Sequence, residues 1–266
     1  MIESLKMHWQ VYLMEALGLA GFVSGAGLLT ILLEHPDSPV MKSVLKDYSL
    51  LRRIPLGILM GLYILAIVLL FGKKSGAHIN PSVTWTFFRL GKINILNTLF
   101  FTIAQFAGAI SGALLLKSTM GSLFGHPLIN YGNTAPKPPH NAMTAFIAEF
   151  IISFIMMLIV LMAGSSKKFK KYIAPISGLL IGFYLILELP FSGMSLNPAR
   201  SFAGALAANN WGHIWIYFVA PTLAMLTAAE VYLQWKRNRV YNIKKAHDGN
   251  FMKSDYIEIQ NFPFGK

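Results

Sequence analysis

Ser75-Gly76-Ala77-His78-Ile79-Asn80-Pro81 recurs later in the chain as Ser192-Gly193-Met194-Ser195-Leu196-Asn197-Pro198, and both stretches read S-G-x-x-x-N-P. Each opens a short apolar piece, 81–90 and 198–208, about half the roughly 20 residues that a membrane-crossing helix requires. Asn-Pro is a helix-start signal: the Asn side chain caps the free amides, and Pro suits the first helical position. The repeat therefore predicts two half-helices, each entered through irregular backbone.

Six longer apolar stretches surround them, at 11–33, 54–71, 95–116, 142–163, 173–189 and 214–235. The predicted fold is an all-α membrane protein of six transmembrane helices plus two re-entrant half-helices. Composition agrees. Of the 266 residues, 55% are hydrophobic and 13% charged, and mean hydropathy is +0.53. A soluble domain carries about 25% charged residues, so the solvent for much of this surface is expected to be a lipid bilayer. The first apolar stretch is too long for the apolar region of a cleaved signal, so none is expected.

The net charge is +12. Sixteen of the 23 basic residues fall at one end if the N-terminus is cytoplasmic: Lys6, Lys73, Lys74, Arg89, Lys92, Lys167, Lys168, Lys170, Lys171 and seven after Trp235. Lys42, Lys46, Arg52, Arg53, Lys117, Lys137 and Arg200 fall at the other. This bias predicts cytoplasmic N- and C-termini and explains the basic charge without a nucleic-acid partner. The expected location is a plasma or inner membrane. The chain contains no cysteine, which excludes disulfides, thiolate catalysis and Cys-based metal sites. It shows no paired-His motif and no Ser-His-Asp set. No enzyme activity, cofactor or metal is expected.

The two halves match upstream as well: Glu15 sits early in the first span and Glu149 early in the fourth. Three spans and one half-span per half make the second half inverted, an arrangement that places a site at the bilayer midplane. One channel-like domain is expected over 1–236, with halves at about 11–116 and 142–235, followed by a basic cytoplasmic tail at 237–266. The G-x-x-x-G pairs Gly21/Gly25, Gly108/Gly112 and Gly178/Gly182 predict close helix seams.

Non-helical backbone at membrane depth is tolerated only where protein or a wet cavity satisfies it. Two such loops imply an aqueous path. Asn80 and Asn197 are expected to cap the half-helices through oxygen and to keep their NH2 groups free for a passing solute. Carbonyls of Gly76, Ala77, His78, Ile79, Gly193, Met194 and Ser195 are expected to supply acceptors. Two positive helix ends and Arg200 form a barrier to cations and protons. Glu188, one turn past Leu185, is expected to pair with Arg200 or a loop amide, or to make the outer mouth acidic.

The stretches 76–84 (Gly-Ala-His-Ile-Asn-Pro-Ser-Val-Thr) and 196–202 (Leu-Asn-Pro-Ala-Arg-Ser-Phe), with Ala104-Gln105-Phe106-Ala107-Gly108-Ala109 and Trp215-Ile216-Tyr217-Phe218-Val219-Ala220-Pro221, resemble the aquaporin, or major intrinsic protein, family. The resemblance covers about 14–230. It implies pore motifs at Asn80-Pro81-Ser82 and Asn197-Pro198-Ala199, with Ser82 in place of the usual Ala. It implies that Glu15 and Glu149 brace the loops, that His78 holds a structural hydrogen bond, and that the chain assembles as a homotetramer. It puts the outer selectivity filter on Met60, Leu185, Met194 and Arg200.

That filter lacks the aromatic ring and the His of water-selective members, while Ser201 and Tyr217-Phe218 are water-like. The expected function is passive conduction of water and small uncharged solutes such as glycerol, through a filter wider and less polar than a strict water channel's. A water-selective channel, a metalloid, ammonia or urea channel, and a secondary transporter are the alternatives.

Overall fold

The computed structural model describes residues 2–246, with side chains from 8 to 239. In chain order the helices are α1 (Ile2–Glu34), α2 (Ser49–Phe71), α3 (Pro81–Arg89), α4 (Ile95–Met120), α5 (Ser122–Gly125), α6 (Ala142–Gly164), α7 (Ile173–Leu187), α8 (Leu189–Ser192), α9 (Pro198–Ala208) and α10 (Ile214–Ala246). Six regions are long and apolar enough to cross a membrane, and the described residues contain no strand. α3 and α9 are the two half-helices.

Several boundaries differ from the sequence expectation, each for a physical reason. The second span begins at Ser49 rather than 54 because its two arginines are satisfied in place. Arg52 pairs with Glu34 (Nε to Oε1 3.1 Å, Nη2 to Oε2 3.0 Å), and Arg53 Nη1 donates to the Ile186 carbonyl at 3.0 Å. The fifth span stops at Leu187, short of 189, because Pro190 restarts the chain as the one-turn α8. The helix of the sixth span runs on to Ala246, past the boundary drawn at 236. The rest of the expected tail, 247–266, lies outside the described residues.

The helices pack as three dominant pairs, α1 with α4, α2 with α7, and α6 with α10. Two pairs meet through small residues. A Cβ added at Gly108 or Gly112 would lie 2.1 Å from the Ala16 carbonyl oxygen or 2.5 Å from that of Ala20. α2 and α7 touch backbone to backbone. A Cβ at Gly57 would sit 2.5 Å from the Gly182 carbonyl oxygen, and one at Gly178 would sit 2.5 Å from that of Gly61. The Gly57-x-x-x-Gly61 half of this seam was absent from the sequence expectation. Gly21 and Gly25 differ from the seams expected of them: they face the Tyr63 hydroxyl and the Met60 Sδ, so they clear room for side chains. In lipid, where burial of apolar surface does not drive helices together, such close approach supplies the packing.

α3 enters from one side against α4 and α10, α9 enters against α4, and the two touch each other. This brings the two S-G-x-x-x-N-P loops together in the interior.

Candidate functional site

Both loops are built the same way. The motif's first serine caps the backbone two residues on: Ser75 Oγ accepts the Ala77 amide at 3.0 Å, and Ser192 Oγ accepts the Met194 amide at 3.0 Å. The chain then takes matching left-handed turns. The φ angles are +86°, +47° and +40° at Gly76, Ala77 and Ile79, and +86°, +48° and +59° at Gly193, Met194 and Leu196. Four of these six are non-glycine residues, and such conformations persist only where the surroundings hold them.

The holding groups are the two buried glutamates. Glu15 accepts the amides of His78 (Oε1, 3.0 Å) and Ile79 (Oε2, 2.5 Å), and Gln105 Nε2 at 2.9 Å. Glu149 accepts the amides of Ser195 (2.6 Å) and Leu196 (2.8 Å), and the Ser192 hydroxyl at 2.7 Å. Each carboxylate gathers three donors, the compensation a buried charge demands.

Asn80 Oδ1 accepts the Ser82 amide at 2.9 Å, and Asn197 Oδ1 accepts those of Ala199 and Arg200 at 3.0 and 3.3 Å, so each caps its half-helix. Their NH2 groups are not wholly free. Asn80 Nδ2 donates to the Leu196 carbonyl at 2.7 Å, and Asn197 Nδ2 donates to the Ile79 carbonyl at 2.8 Å. One hydrogen of each amide therefore ties the opposite loop, which leaves one for a solute. The same bond takes up the Ile79 carbonyl, expected to serve as a pore acceptor.

This pair borders a cavity of about 110 Å³. Asn80, Asn197, Gly76, Ala77, His78, Ile79 and Ser195 line it, among apolar residues of α1, α2, α6 and α7. His78 stacks on Phe87 and sits 3.1 Å through Nδ1 from the Thr84 hydroxyl, which also takes Gln105 Nε2 at 3.0 Å. Ser82 Oγ lies 2.8 Å from Thr222 Oγ1, directed at α10. Pro81, Pro198 and Ala199 are buried at the half-helix starts.

Met60, Leu185 and Met194 do not line that cavity. They are 2%, 4% and 2% exposed and join one buried apolar cluster. Arg200 Nη1 donates to the Gly132 carbonyl at 3.0 Å, and among the described residues no carboxylate stands within salt-bridge distance of it. Glu188 is buried beside the Ser192 hydroxyl, the Met194 amide and Arg200, but against expectation makes no ion pair with Arg200 within salt-bridge distance, and neither of its oxygens takes a well-aligned hydrogen bond. The donors beside it are spent, since the Ser192 hydroxyl goes to Glu149 and the Met194 amide to Ser192.

Sequence reasoning missed the roles of Gln105, Thr84, Gly132 and Thr134, the last of which donates to Ser201 Oγ at 2.7 Å. It also passed over Ser75 and Ser192 as caps, although their repetition at the head of both motifs was the available signal. No group of three or more potential metal ligands occurs among the described residues.

A family model described as Major intrinsic protein matches residues 6–232. Aquaporin NIP3-1 of Oryza sativa subsp. japonica is 34% identical over 173 residues, covering 65% of this chain and 54% of the relative. Aquaporin-4 of Mus musculus is 32% identical over 213 residues, covering 76% and 64%. This chain thus spans little more than half the length of the first of these relatives. Among solved structures, the aquaglyceroporin from Plasmodium falciparum superposes with a TM-score of 0.69 at 20% identity, over 85% of this chain and 95% of that one. At that identity the likeness is one of fold.

Proposed function

Because the chain belongs to the major intrinsic protein family, a family of channels rather than enzymes, we propose that it conducts water and small uncharged solutes such as glycerol passively. The observation that carries this reading is the pair of loops tied Asn80 to Leu196 and Asn197 to Ile79 at the end of the cavity. A solute there exchanges water hydrogen bonds for one amide hydrogen from each Asn and for loop carbonyls. No carboxylate side chain lines the cavity, which favours a channel over an ion-coupled transporter.

The filter is assigned to Met60, Leu185, Met194 and Arg200. Three apolar walls and one donor suit a solute with a carbon backbone and hydroxyls. Both methionines are unbranched and rotate freely, so their packed positions act as a movable wall. A water-selective channel is the second reading, favoured by Ser201, by Tyr217-Phe218 and by the burial of Met60 and Met194. The reading includes a homotetramer with one pore per subunit and cytoplasmic termini, supported by the clustering of basic residues at one end.

Stopped-flow light scattering on proteoliposomes tests it. Sucrose-driven shrinkage should exceed that of protein-free vesicles, and glycerol-driven swelling should as well. Shrinkage no faster than in empty vesicles defeats the channel reading. Rapid shrinkage without glycerol flux selects the water-selective one.

A further inference from the structure

Two buried carboxyl groups stand near each other behind the second loop, and only one of them is satisfied. Glu149 takes the amides of Ser195 and Leu196 and the Ser192 hydroxyl. Glu188 lies close to Glu149 and is 6% exposed, yet neither of its oxygens takes a well-aligned hydrogen bond. Buried polar atoms as a rule have a partner, because the hydrogen bond given up to water must be replaced. The neighbouring donors are committed elsewhere. The Ser192 hydroxyl goes to Glu149, the Met194 amide to Ser192 Oγ, and Arg200 Nη1 to the Gly132 carbonyl.

The backbone fixes where this acceptor stands. Glu188 ends α7, and its carbonyl accepts the Phe191 amide at 2.8 Å to open α8. Two residues earlier, the Ile186 carbonyl is held by Arg53 Nη1 at 3.0 Å. Glu188 follows Leu185 by three residues, so the two share a face of the helix. It also stands beside the Met194 amide and Arg200. Three of the four residues assigned to the filter are therefore its neighbours, and they are of similar burial: Leu185 is 4% exposed and Met194 2%.

Resting on the assignment of the filter to Met60, Leu185, Met194 and Arg200, we propose that Glu188 is a fifth member of it, the acceptor for a hydroxyl of a passing polyol. The filter then presents one donor and one acceptor between apolar walls. A vicinal polyol uses both. One hydroxyl accepts from Arg200, its neighbour donates to Glu188, and the carbon chain lies against Leu185 and the methionines. The donor that Glu188 calls for is supplied by the solute in transit. A carboxyl group keeps at least one acceptor oxygen whether or not it carries a proton, so this role does not depend on its charge. Water gains less from the site. In single file it brings the next water as its partner, whereas a three-carbon solute fills the constriction and leaves that place to Glu188.

The test measures glycerol and sucrose responses of proteoliposomes carrying the full chain, Glu188→Leu or Glu188→Gln. Glycerol flux should fall about tenfold in Glu188→Leu and water flux by less than about threefold, the effect of one hydrogen bond lost by the larger solute alone. Glu188→Gln keeps an acceptor oxygen and should hold glycerol flux within about twofold of the wild type. Infrared difference spectra with and without glycerol should show a shifted carboxyl band in the wild type that Glu188→Gln lacks. Wild-type glycerol flux in Glu188→Leu overturns the inference. So does a Glu188→Gln as impaired as Glu188→Leu, since the carboxyl would then act through its charge. If Glu188→Leu loses both fluxes or fails to insert, the infrared comparison decides: a carboxyl band unmoved by glycerol, or moved equally in Glu188→Gln, overturns the assignment. A wild type that passes water but no glycerol defeats the wide-filter reading itself, and the polyol site with it.

Discussion

The side-chain amide of Asn80 donates to the carbonyl of Leu196 across 2.7 Å, binding the first loop to the second. The same residue caps α3 through its oxygen, so one side chain both starts a half-helix and locks the midplane. Asn80→Asp keeps the capping acceptor and removes the donor. It leaves the Leu196 carbonyl unpaired in a buried site and sets a carboxylate oxygen against it. The expected loss is about 1–3 kcal/mol, read as an earlier unfolding midpoint in a detergent-denaturation titration, together with reduced water flux.

Glu149 gathers the amides of Ser195 and Leu196 and the Ser192 hydroxyl. Glu149→Gln has the same shape but offers one acceptor oxygen and turns an NH2 toward donors. Two left-handed residues, Met194 and Leu196, lose their restraint. The variant should lose about 1–3 kcal/mol for each buried donor left without its acceptor, and should fold poorly or be degraded. Normal yield and an unchanged midpoint would show that the loop holds itself.

The architecture was legible because its signals are local and repeated. Asn80-Pro81 and Asn197-Pro198 mark helix starts wherever they occur, and Glu15 and Glu149 stand in register with them. What stayed hidden depends on pairing across long sequence distance. That Asn80 would reach Leu196, or Gly132 reach Arg200, follows from how two inverted halves meet, and no spacing within either half encodes it. Glu188 shows the same limit. It was expected to meet Arg200 or a loop amide, but Arg200 Nη1 is directed to the Gly132 carbonyl and the Met194 amide to the Ser192 hydroxyl. The second span's start was misjudged because Arg52 and Arg53 read as solvent-facing, while the fold supplies Glu34 and the Ile186 carbonyl.

The two kinds of G-x-x-x-G glycine make a sharp contrast. At Gly57 an added Cβ would meet the Gly182 carbonyl oxygen at 2.5 Å and Ile186 Cγ1 at 2.6 Å, while at Gly25 the nearest atom is Met60 Sδ at 3.8 Å. Gly57→Ala should therefore force α2 and α7 apart and destabilise the protein by about 1–3 kcal/mol. Gly25→Ala should be neutral or mildly stabilising, since alanine favours helix by about 1 kcal/mol over glycine. Equal midpoints for the two variants would contradict the backbone seam.

Arg200 keeps one contact, to Gly132, and no carboxylate partner within salt-bridge distance. On the proposed reading its charge faces the filter. Arg200→Val should preserve solute flux and raise leakage of protons or cations. Voltage-clamped bilayers carrying the variant would report it as increased ion conductance, and conductance equal to wild type would remove Arg200 from the barrier.

On the proposed assignment, the filter's width is set by which side chains can withdraw. Met60, Leu185 and Met194 contribute no ring and no imidazole, and in the structure they pack together with 2–4% exposure. Opening a path between them means moving thioether chains with several rotatable bonds, which costs far less than displacing a packed aromatic ring. A Cβ added at Gly25 would lie 3.8 Å from the Met60 Sδ, so the glycine leaves room for such movement. A solute of glycerol's size can then slide along apolar walls while its hydroxyls turn to Arg200. Met60→Phe with Leu185→His replaces the movable wall by a stiff ring and adds a polar group that narrows the gap. Glycerol flux should fall at least about tenfold and water flux less than about threefold, the differential that steric and polar discrimination at one pocket delivers. Both are read by light scattering on the same proteoliposomes under glycerol and sucrose gradients. Parallel loss of both fluxes would mean that the double variant simply blocks the pore. Unchanged glycerol flux would place the constriction at residues other than these four.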